Sequence, residues 1–422
     1  MYQGMIAAME FPVKGRERAA VLEDLQMMRT DDAGWGEGRV PLFVFKGSDE
    51  ASAIAQDAFN LFFTENALGK NRAFPSLKRM EDEIVAMALD LFNAPDGATG
   101  FVSTGGSESI IMAVQTARDY ARSQRGNEAH RGNIVMPISG HPAFDKAARL
   151  MDLEVRRIAT RADFKADVAT MADALDDDTI MIVGSAPCFP FGVFDDIQGL
   201  GALATERDVW LHVDACVGGY LAPFAKDAGV DIPPFDLSVA GVASMSADLH
   251  KFGWAPKPIS TVFYTRPEYA TCHGFDFDGW PNGRFQTNTI VGTRAGGAIA
   301  GAWALFQHLG REGYSRIAKD LLDGIGRYRS GIEAIDALSV VGEPLLSIVA
   351  VQSHDDAIDI FAVAENMQEN GWVPGLIQRP KALHRMMSML HVPTIDAYLE
   401  DLGDAVAAVR AEGGASALKP TY

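Results

Sequence analysis

Short apolar runs at 101–103, 133–138, 153–158, 179–184, 209–213 and 260–264 alternate with helical stretches all the way from Phe101 to Thr265. A strand that reads as a nearly unbroken apolar run is covered on both faces, and strands separated by helices return in the same direction. The pattern therefore predicts an α/β fold with a mainly parallel sheet covered by helices. In such sheets ligands sit outside the carboxyl ends of the strands, so the residues just after each run are where chemistry is expected.

The flanking segments read differently. Residues 1–60 are mixed and carry Gly34, Gly36, Gly38 and Pro41, which suggests an N-terminal arm. Between Ser76 and Phe92, Leu77, Met80, Ile84, Met87 and Leu91 recur at helical spacing. Helical patterns at 295–309 and 312–335 lead into strand-like 345–352 and 385–392 and a last helix near 394–411. The expected units are an arm at 1–60, a large domain at 61–310 and a smaller α+β domain at 311–422. Met386, Met387 and Met389 are expected to be strand core.

Composition removes several classes of function. With 56 acids against 37 bases and a net charge of −19, the chain is a poor partner for nucleic acid or an anionic membrane. No apolar run approaches the ~20 residues needed to span a bilayer. Met1–Pro12 has neither the charged start nor the apolar stretch of a secretory signal. Cys188, Cys216 and Cys272 have no metal-ligand spacing and are too few for a disulfide framework, so no metal and a reducing cytoplasm are expected.

Four motifs fall at or near the predicted strand ends. Lys251 lies in Ser246-Ala247-Asp248-Leu249-His250-Lys251-Phe252-Gly253-Trp254, followed by Ala255-Pro256-Lys257. A reactive amine must be partly neutral; His250 and Lys257 are candidate neighbouring cations and Phe252 and Trp254 a candidate dry wall, each of which would lower its pKa. Asp214 ends the run Val209-Trp210-Leu211-His212-Val213. Ser103-Thr104-Gly105-Gly106-Ser107 opens a helix, where backbone N–H groups and the positive dipole end can meet a phosphate. His141 follows the run at 133–138, where a flat ring can lie on a planar cofactor. Alone, each has an ordinary reading: a solvated His-Lys pair, an acid capping a turn, a strand-to-helix turn, a satisfied core histidine. Together they describe a pyridoxal phosphate site, with a phosphate cup at Gly105, Gly106 and Ser107, a stacking His141, Asp214 for the pyridine nitrogen and Lys251 as the cofactor lysine.

These blocks, with Val183-Gly184-Ser185-Ala186-Pro187, His212-Val213-Asp214-Ala215-Cys216 and Gly292-Thr293-Arg294-Ala295-Gly296, resemble sphingosine-1-phosphate lyase within the group II decarboxylase superfamily of fold-type I pyridoxal phosphate enzymes. The resemblance reaches from Trp35-Gly36-Glu37-Gly38 to Gln378-Arg379-Pro380. It implies that Gly106, Ser107 and His250 hold the cofactor phosphate, that Thr293 joins them from the second subunit of a homodimer, and that Lys257 stands near a small-molecule amine substrate. The implied reaction is retro-aldol carbon–carbon cleavage of a β-hydroxy amine. Amino-acid decarboxylation is the alternative within the superfamily, and a non-catalytic cofactor-binding subunit the alternative outside it.

The chain also departs from the family pattern. Ala67-Leu68-Gly69-Lys70-Asn71-Arg72-Ala73 lacks the family's histidine, and Pro41-Leu42-Phe43-Val44-Phe45 replaces a tyrosine-bearing segment. Cys188 stands in place of an asparagine, and Phe285-Gln286-Thr287-Asn288 replaces a Tyr-x-Ser-Pro stretch. Lys70 or Arg72 could grip a substrate anion, but a solvated basic loop is the expected reading. Departures grouped around one substrate pocket, with the cofactor residues kept, imply retained chemistry and altered specificity.

Overall fold

The computed structural model describes residues 10–421, so the segment Met1–Pro12, read above for a secretory signal, lies almost wholly outside the described residues. The main sheet contains β1 (Thr99–Ser103), β2 (Asn133–Pro137), β3 (Glu154–Ile158), β4 (Thr179–Ser185), β5 (Trp210–Asp214), β6 (Val242–Ala247) and β7 (Ser260–Tyr264), in the spatial order β1-β7-β6-β5-β4-β2-β3. From β6 to β3 every pairing is parallel; β7 alone runs against its neighbours β1 and β6. The mainly parallel α/β sheet is thus as the apolar runs predict.

β6 was not anticipated. Its residues Val-Ala-Ser-Met-Ser-Ala make no apolar run, yet all of them are buried. Ser244 Oγ accepts the Trp210 indole N–H at 2.7 Å and lies 2.8 Å from His212 Nδ1, while Ser246 Oγ lies 3.1 Å from His212 Nε2. Both imidazole nitrogens are therefore engaged inside the sheet, and the helix Gly106–Arg125 packs across the small residues of β6. A strand of hydroxyls can be buried when each one has such a partner.

A hairpin of β8 (Phe275–Phe277) and β9 (Phe285–Thr287) stands apart from a second sheet, formed by β10 (Leu338–Val340), β11 (Ile348–Ser353), β12 (Gly375–Gln378) and β13 (Lys381–Met386). That sheet is antiparallel and is packed by the helix Ile360–Glu369, on which the helix Ile395–Glu412 lies in turn. The run expected at 385–392 is a strand only to Met386. Beyond it the chain turns, because Ser388 N donates to His391 Nδ1 at 2.8 Å and His391 N to Ser388 O. Met386 and Met387 are buried as core.

The helix Gly296–Ala334 is broken at Gly310, whose φ of 55° and ψ of −175° only glycine adopts readily, matching the gap between the two predicted helical stretches. The helix Asp49–Leu61 packs along it. The preceding helix Arg18–Met28 buries no residue and leaves Leu22, Leu25 and Met28 exposed.

Burial pushes the imidazoles of His212, His273, His384 and His391 down to about 4 from 6.5. Above pH 6.5 these rings are neutral in folded and unfolded chains alike. As pH falls from 6.5 toward 4, the unfolded chain takes up protons that the folded chain refuses, so stability present above 6.5 is lost across that window. Thermal unfolding followed from pH 7 to pH 4 should show the midpoint dropping steeply there, and a level midpoint would mean the rings are not held neutral.

Candidate active site

Parallel pairing puts the carboxyl ends of β4, β5 and β6 side by side, with Ser185 opposite Asp214 and Asp214 opposite Ser246. Asp214 is buried; its Oδ1 accepts the Cys216 N–H at 3.1 Å and lies 3.4 Å from Ser246 Oγ. The acid thus caps the following turn with one oxygen, the ordinary role considered for it, while remaining a buried anion that needs a cationic partner.

Lys251 sits in the tight turn that follows β6, where its own N–H donates to Asp248 O. Its Nζ is 3.0 Å from Asp248 Oδ2. The expectation that neighbouring cations lower this amine's pKa is corrected by that contact. Burial does pull it down, but the charge and hydrogen bond of Asp248, with Cys216 and Asp214 behind, carry it above the usual lysine range. Neither expected cation acts on it. His250 Nδ1 accepts the Ile259 N–H at 3.1 Å and its Nε2 lies 3.6 Å from Asp248 Oδ2, and Lys257 Nζ instead donates to Phe43 O at 3.0 Å.

The glycine turn closes over this cluster. A Cβ at Gly106 would fall 2.7 Å from Asp248 Oδ2 and 2.8 Å from Cys216 Sγ, and one at Gly105 would fall 3.3 Å from His250 Cε1. No side chain fits at Gly106, so the backbone N–H groups opening the helix Gly106–Arg125 lie directly against the cluster, with Ser107 exposed beside them. His141 Nδ1 accepts the Ala143 N–H at 3.1 Å. Its pKa is lowered by burial, opposed by the field of Asp214, and it also feels Lys251 and Asp248. Gly105, Gly106, His141, Asp214, His250 and Lys251 are therefore brought into one site.

Two predicted residues stand outside it. Thr293 is exposed on a loop whose Ile290 and Val291 N–H groups donate to Glu108 Oε1 at 2.8 and 3.1 Å. Lys257 lies 5.6 Å over the Phe45 ring, and burial lowers its pKa. Lys70 is not part of a solvated loop: it pairs with the buried Glu81, which also holds the buried Arg294.

Asp248 and Glu108 were not assigned from sequence, although both lie inside the motif blocks. The available signal for Asp248 was an acid three residues before the lysine. For Glu108 it was an acid in the first turn of a helix, where the side chain reaches back to the Thr104 N–H at 2.6 Å.

A cavity of about 560 Å³ opens beside His141, walled by Val40, Leu42, Phe43, Phe189, Leu376 and Leu418. A second, polar cavity of about 350 Å³ is lined by Lys70, Asn71, Gln286 and Asn288 among others. The departures from the family pattern therefore do not form one cluster within a chain: Pro41–Phe43 face the first cavity and the 67–73 and 285–288 segments the second. Cys188 is buried in neither wall, its thiol pushed up to about 12 by burial.

Residues 44–352 match the pyridoxal-dependent decarboxylase conserved domain. The chain is 38% identical to sphingosine-1-phosphate lyase of Arabidopsis thaliana over 97% of its own length and 76% of that protein, and 36% identical to sphingosine-1-phosphate lyase 1 of Mus musculus over 94% and 69%. The structure of a Burkholderia pseudomallei sphingosine-1-phosphate lyase superposes with a TM-score of 0.91 at 37% identity, covering 96% of this chain and 94% of that one. A glutamate decarboxylase of Lactobacillus brevis shares the fold, with a TM-score of 0.83 at 19% identity. The glycine cradle, the buried amine and the buried acid fit pyridoxal phosphate, and the chain belongs to the pyridoxal-dependent decarboxylase family as a sphingosine-1-phosphate lyase-like, pyridoxal phosphate-dependent lyase.

Proposed function

We propose that this lyase cleaves the Cα–Cβ bond of a β-hydroxy amine bearing an apolar substituent, in the cytoplasm and as a homodimer. The observation that carries the reading is the junction of the Lys251, Asp214 and Gly106 cluster with a largely apolar cavity at His141. Pyridoxal phosphate, when bound, supplies the sink for the electrons of the breaking bond. The chain's residues do the rest. Lys251 would carry the cofactor, Asp214 would pair with its protonated pyridine nitrogen, and His141 would stand beside its ring. Gly105, Gly106, Ser107 and His250 would take the phosphate, and Thr293 would join them from the other subunit. Lys257, held outside the cluster by the carbonyl of Phe43 on the cavity wall, would leave that carbonyl to accept the β-hydroxyl proton, its amine being easier to deprotonate than an ordinary lysine. The apolar wall excludes water from the reacting carbons.

Amino-acid decarboxylation needs the same cofactor residues, but the identities of over a third to lyases favour carbon–carbon cleavage. Three free cysteines agree with a reducing compartment, and among the described residues no helix is long and apolar enough to cross a membrane. For the dimer, support comes from the exposed apolar side chains around Thr293, among them Phe275, Trp280, Ile290 and Val291. As working units we propose the arm 1–60, the large domain 61–310 and the small domain 311–422, consistent with two separate sheets.

Incubation with β-hydroxy amines, their phosphate esters and amino acids, followed by mass spectrometry, should yield an aldehyde from a β-hydroxy amine. Carbon dioxide with the matching amine would make the chain a decarboxylase, and no product with a bound cofactor would make it a non-catalytic subunit. Lys251→Ala should abolish turnover and covalent retention of the cofactor after borohydride reduction; retained activity would end the assignment. Lys257→Gln should lower kcat by ~10²-fold or more while leaving cofactor loading intact, and should remove the limb of the pH–rate profile that titrates below 10.5. Sedimentation of the loaded protein should give a dimer, and Thr293→Ala should weaken cofactor affinity ~10-fold.

A further inference from the structure

The most enclosed charged contact of the site is not one that cofactor binding requires. Lys251 Nζ lies 3.0 Å from Asp248 Oδ2, with the two side chains 18% and 2% exposed. Asp248 is itself held in place, since Ser260 Oγ donates to its Oδ1. Behind Ser260 runs a chain of buried hydroxyls, with Ser109 Oγ 2.9 Å from Ser260 Oγ and Ser103 Oγ 2.7 Å from Ser109 Oγ. His250 Nε2 is 3.6 Å from Asp248 Oδ2. Gly106 leaves the room this carboxylate occupies, since any Cβ there would strike both of its oxygens.

We propose that Asp248 is a positioning residue that holds Lys251 as an ammonium ion whenever its amine is not bonded to the cofactor. This rests on the reading of Lys251 as the cofactor lysine. When a substrate amine takes over the bond to the cofactor carbon, the bond from that carbon to Lys251 Nζ breaks. The entering ammonium nitrogen sheds two protons as it bonds, and Nζ gains two, so the released lysine is left as –NH3⁺ and the exchange balances. A four-carbon stem carrying a free cation would sample many rotamers. A fixed carboxylate at 3.0 Å keeps it poised for the return step, and in a low-dielectric site that attraction is strong.

The groups facing Nζ agree with this. From the end of β5 come Asp214 and Cys216, whose thiol burial pushes up; from its own turn, Asp248 and His250, the latter turned to the Ile259 N–H through Nδ1; and from the end of β2, His141, whose pKa burial lowers. The field and hydrogen bond of Asp248, with Cys216 and Asp214 behind it, outweigh the burial that would otherwise neutralise the amine.

The test uses the full-length protein freed of cofactor. Pyridoxal phosphate is added across a pH series, the rate of bond formation is followed by absorbance, and borohydride reduction with peptide mass mapping identifies the modified lysine. Only the neutral amine reacts, so the rate to Lys251 should keep rising beyond pH 10.5 without a plateau. In Asp248→Asn the plateau should move to lower pH, and the rate at pH 8 should rise ~10-fold or more. Modification of another lysine, or of none, would defeat the reading of Lys251 itself. Modification at Lys251 with a wild-type plateau at or below pH 10.5, or with the same profile in Asp248→Asn, would overturn the role of Asp248 alone. Should Asp248→Asn fail to fold, the wild-type profile decides by itself.

Discussion

The pairing of β5 with β6 is the contact on which the candidate site depends. It sets Asp214 opposite Ser246 and so carries the turn with Asp248, His250 and Lys251 to the edge of the same crevice. That pairing is secured from within by His212, whose two ring nitrogens reach Ser244 and Ser246 across the strands. A larger or apolar residue at either serine would leave a buried imidazole nitrogen unsatisfied, at a cost of about 1–3 kcal/mol. The same small side chains let the helix that begins at Gly106 lie across β6, which is how the glycine turn comes to rest on Asp248.

Charge at the site is arranged in an order that distance alone explains. Asp248, at 3.0 Å, takes the lysine; Asp214, farther from it and held by Cys216 N–H, remains available to a second cation. Two buried carboxylates facing a single amine form a set one positive charge short, and a buried anion is costly unless paired. A protonated pyridine ring restores the balance, which gives an electrostatic reason for this pocket to favour pyridoxal phosphate over a neutral aromatic ligand.

The cavity walls are laid out on other segments than this cluster. The apolar cavity at His141 is built from the segment 40–43, the Phe189 turn and the C-terminal tail, elements that belong neither to the glycine turn nor to the lysine turn. At the polar cavity near Lys70 two cations, Lys70 and Arg294, share the single buried carboxylate of Glu81. Lys70 is thus committed to a structural ion pair, which leaves less charge there to grip an anionic substrate group than the basic sequence suggests.

How much of this was legible beforehand follows the physics of each signal. Six strands of the main sheet were marked beforehand; burial on both faces accounts for the apolar runs of β2, β4, β5 and β7, whereas β3 at the sheet edge has no buried residue, and the four motifs carried the cofactor reading because each places a distinct chemical group at or near a strand end. β6 was invisible because its interior is satisfied by hydroxyl hydrogen bonds, which depend on Trp210 and His212 some thirty residues away. The protonation of Lys251 was misjudged for a related reason: sequence neighbours suggested cations, whereas His250 turned its free nitrogen to Ile259 N–H and Lys257 reached Phe43. The sequence by itself thus determined the layered α/β fold, the family and its dependence on pyridoxal phosphate, since these rest on local pattern and residue type. Which carboxylate meets the lysine, which cations are already spent and which walls face the reacting atoms were decided only by the tertiary structure, because each depends on where distant segments bring their hydrogen-bonding groups.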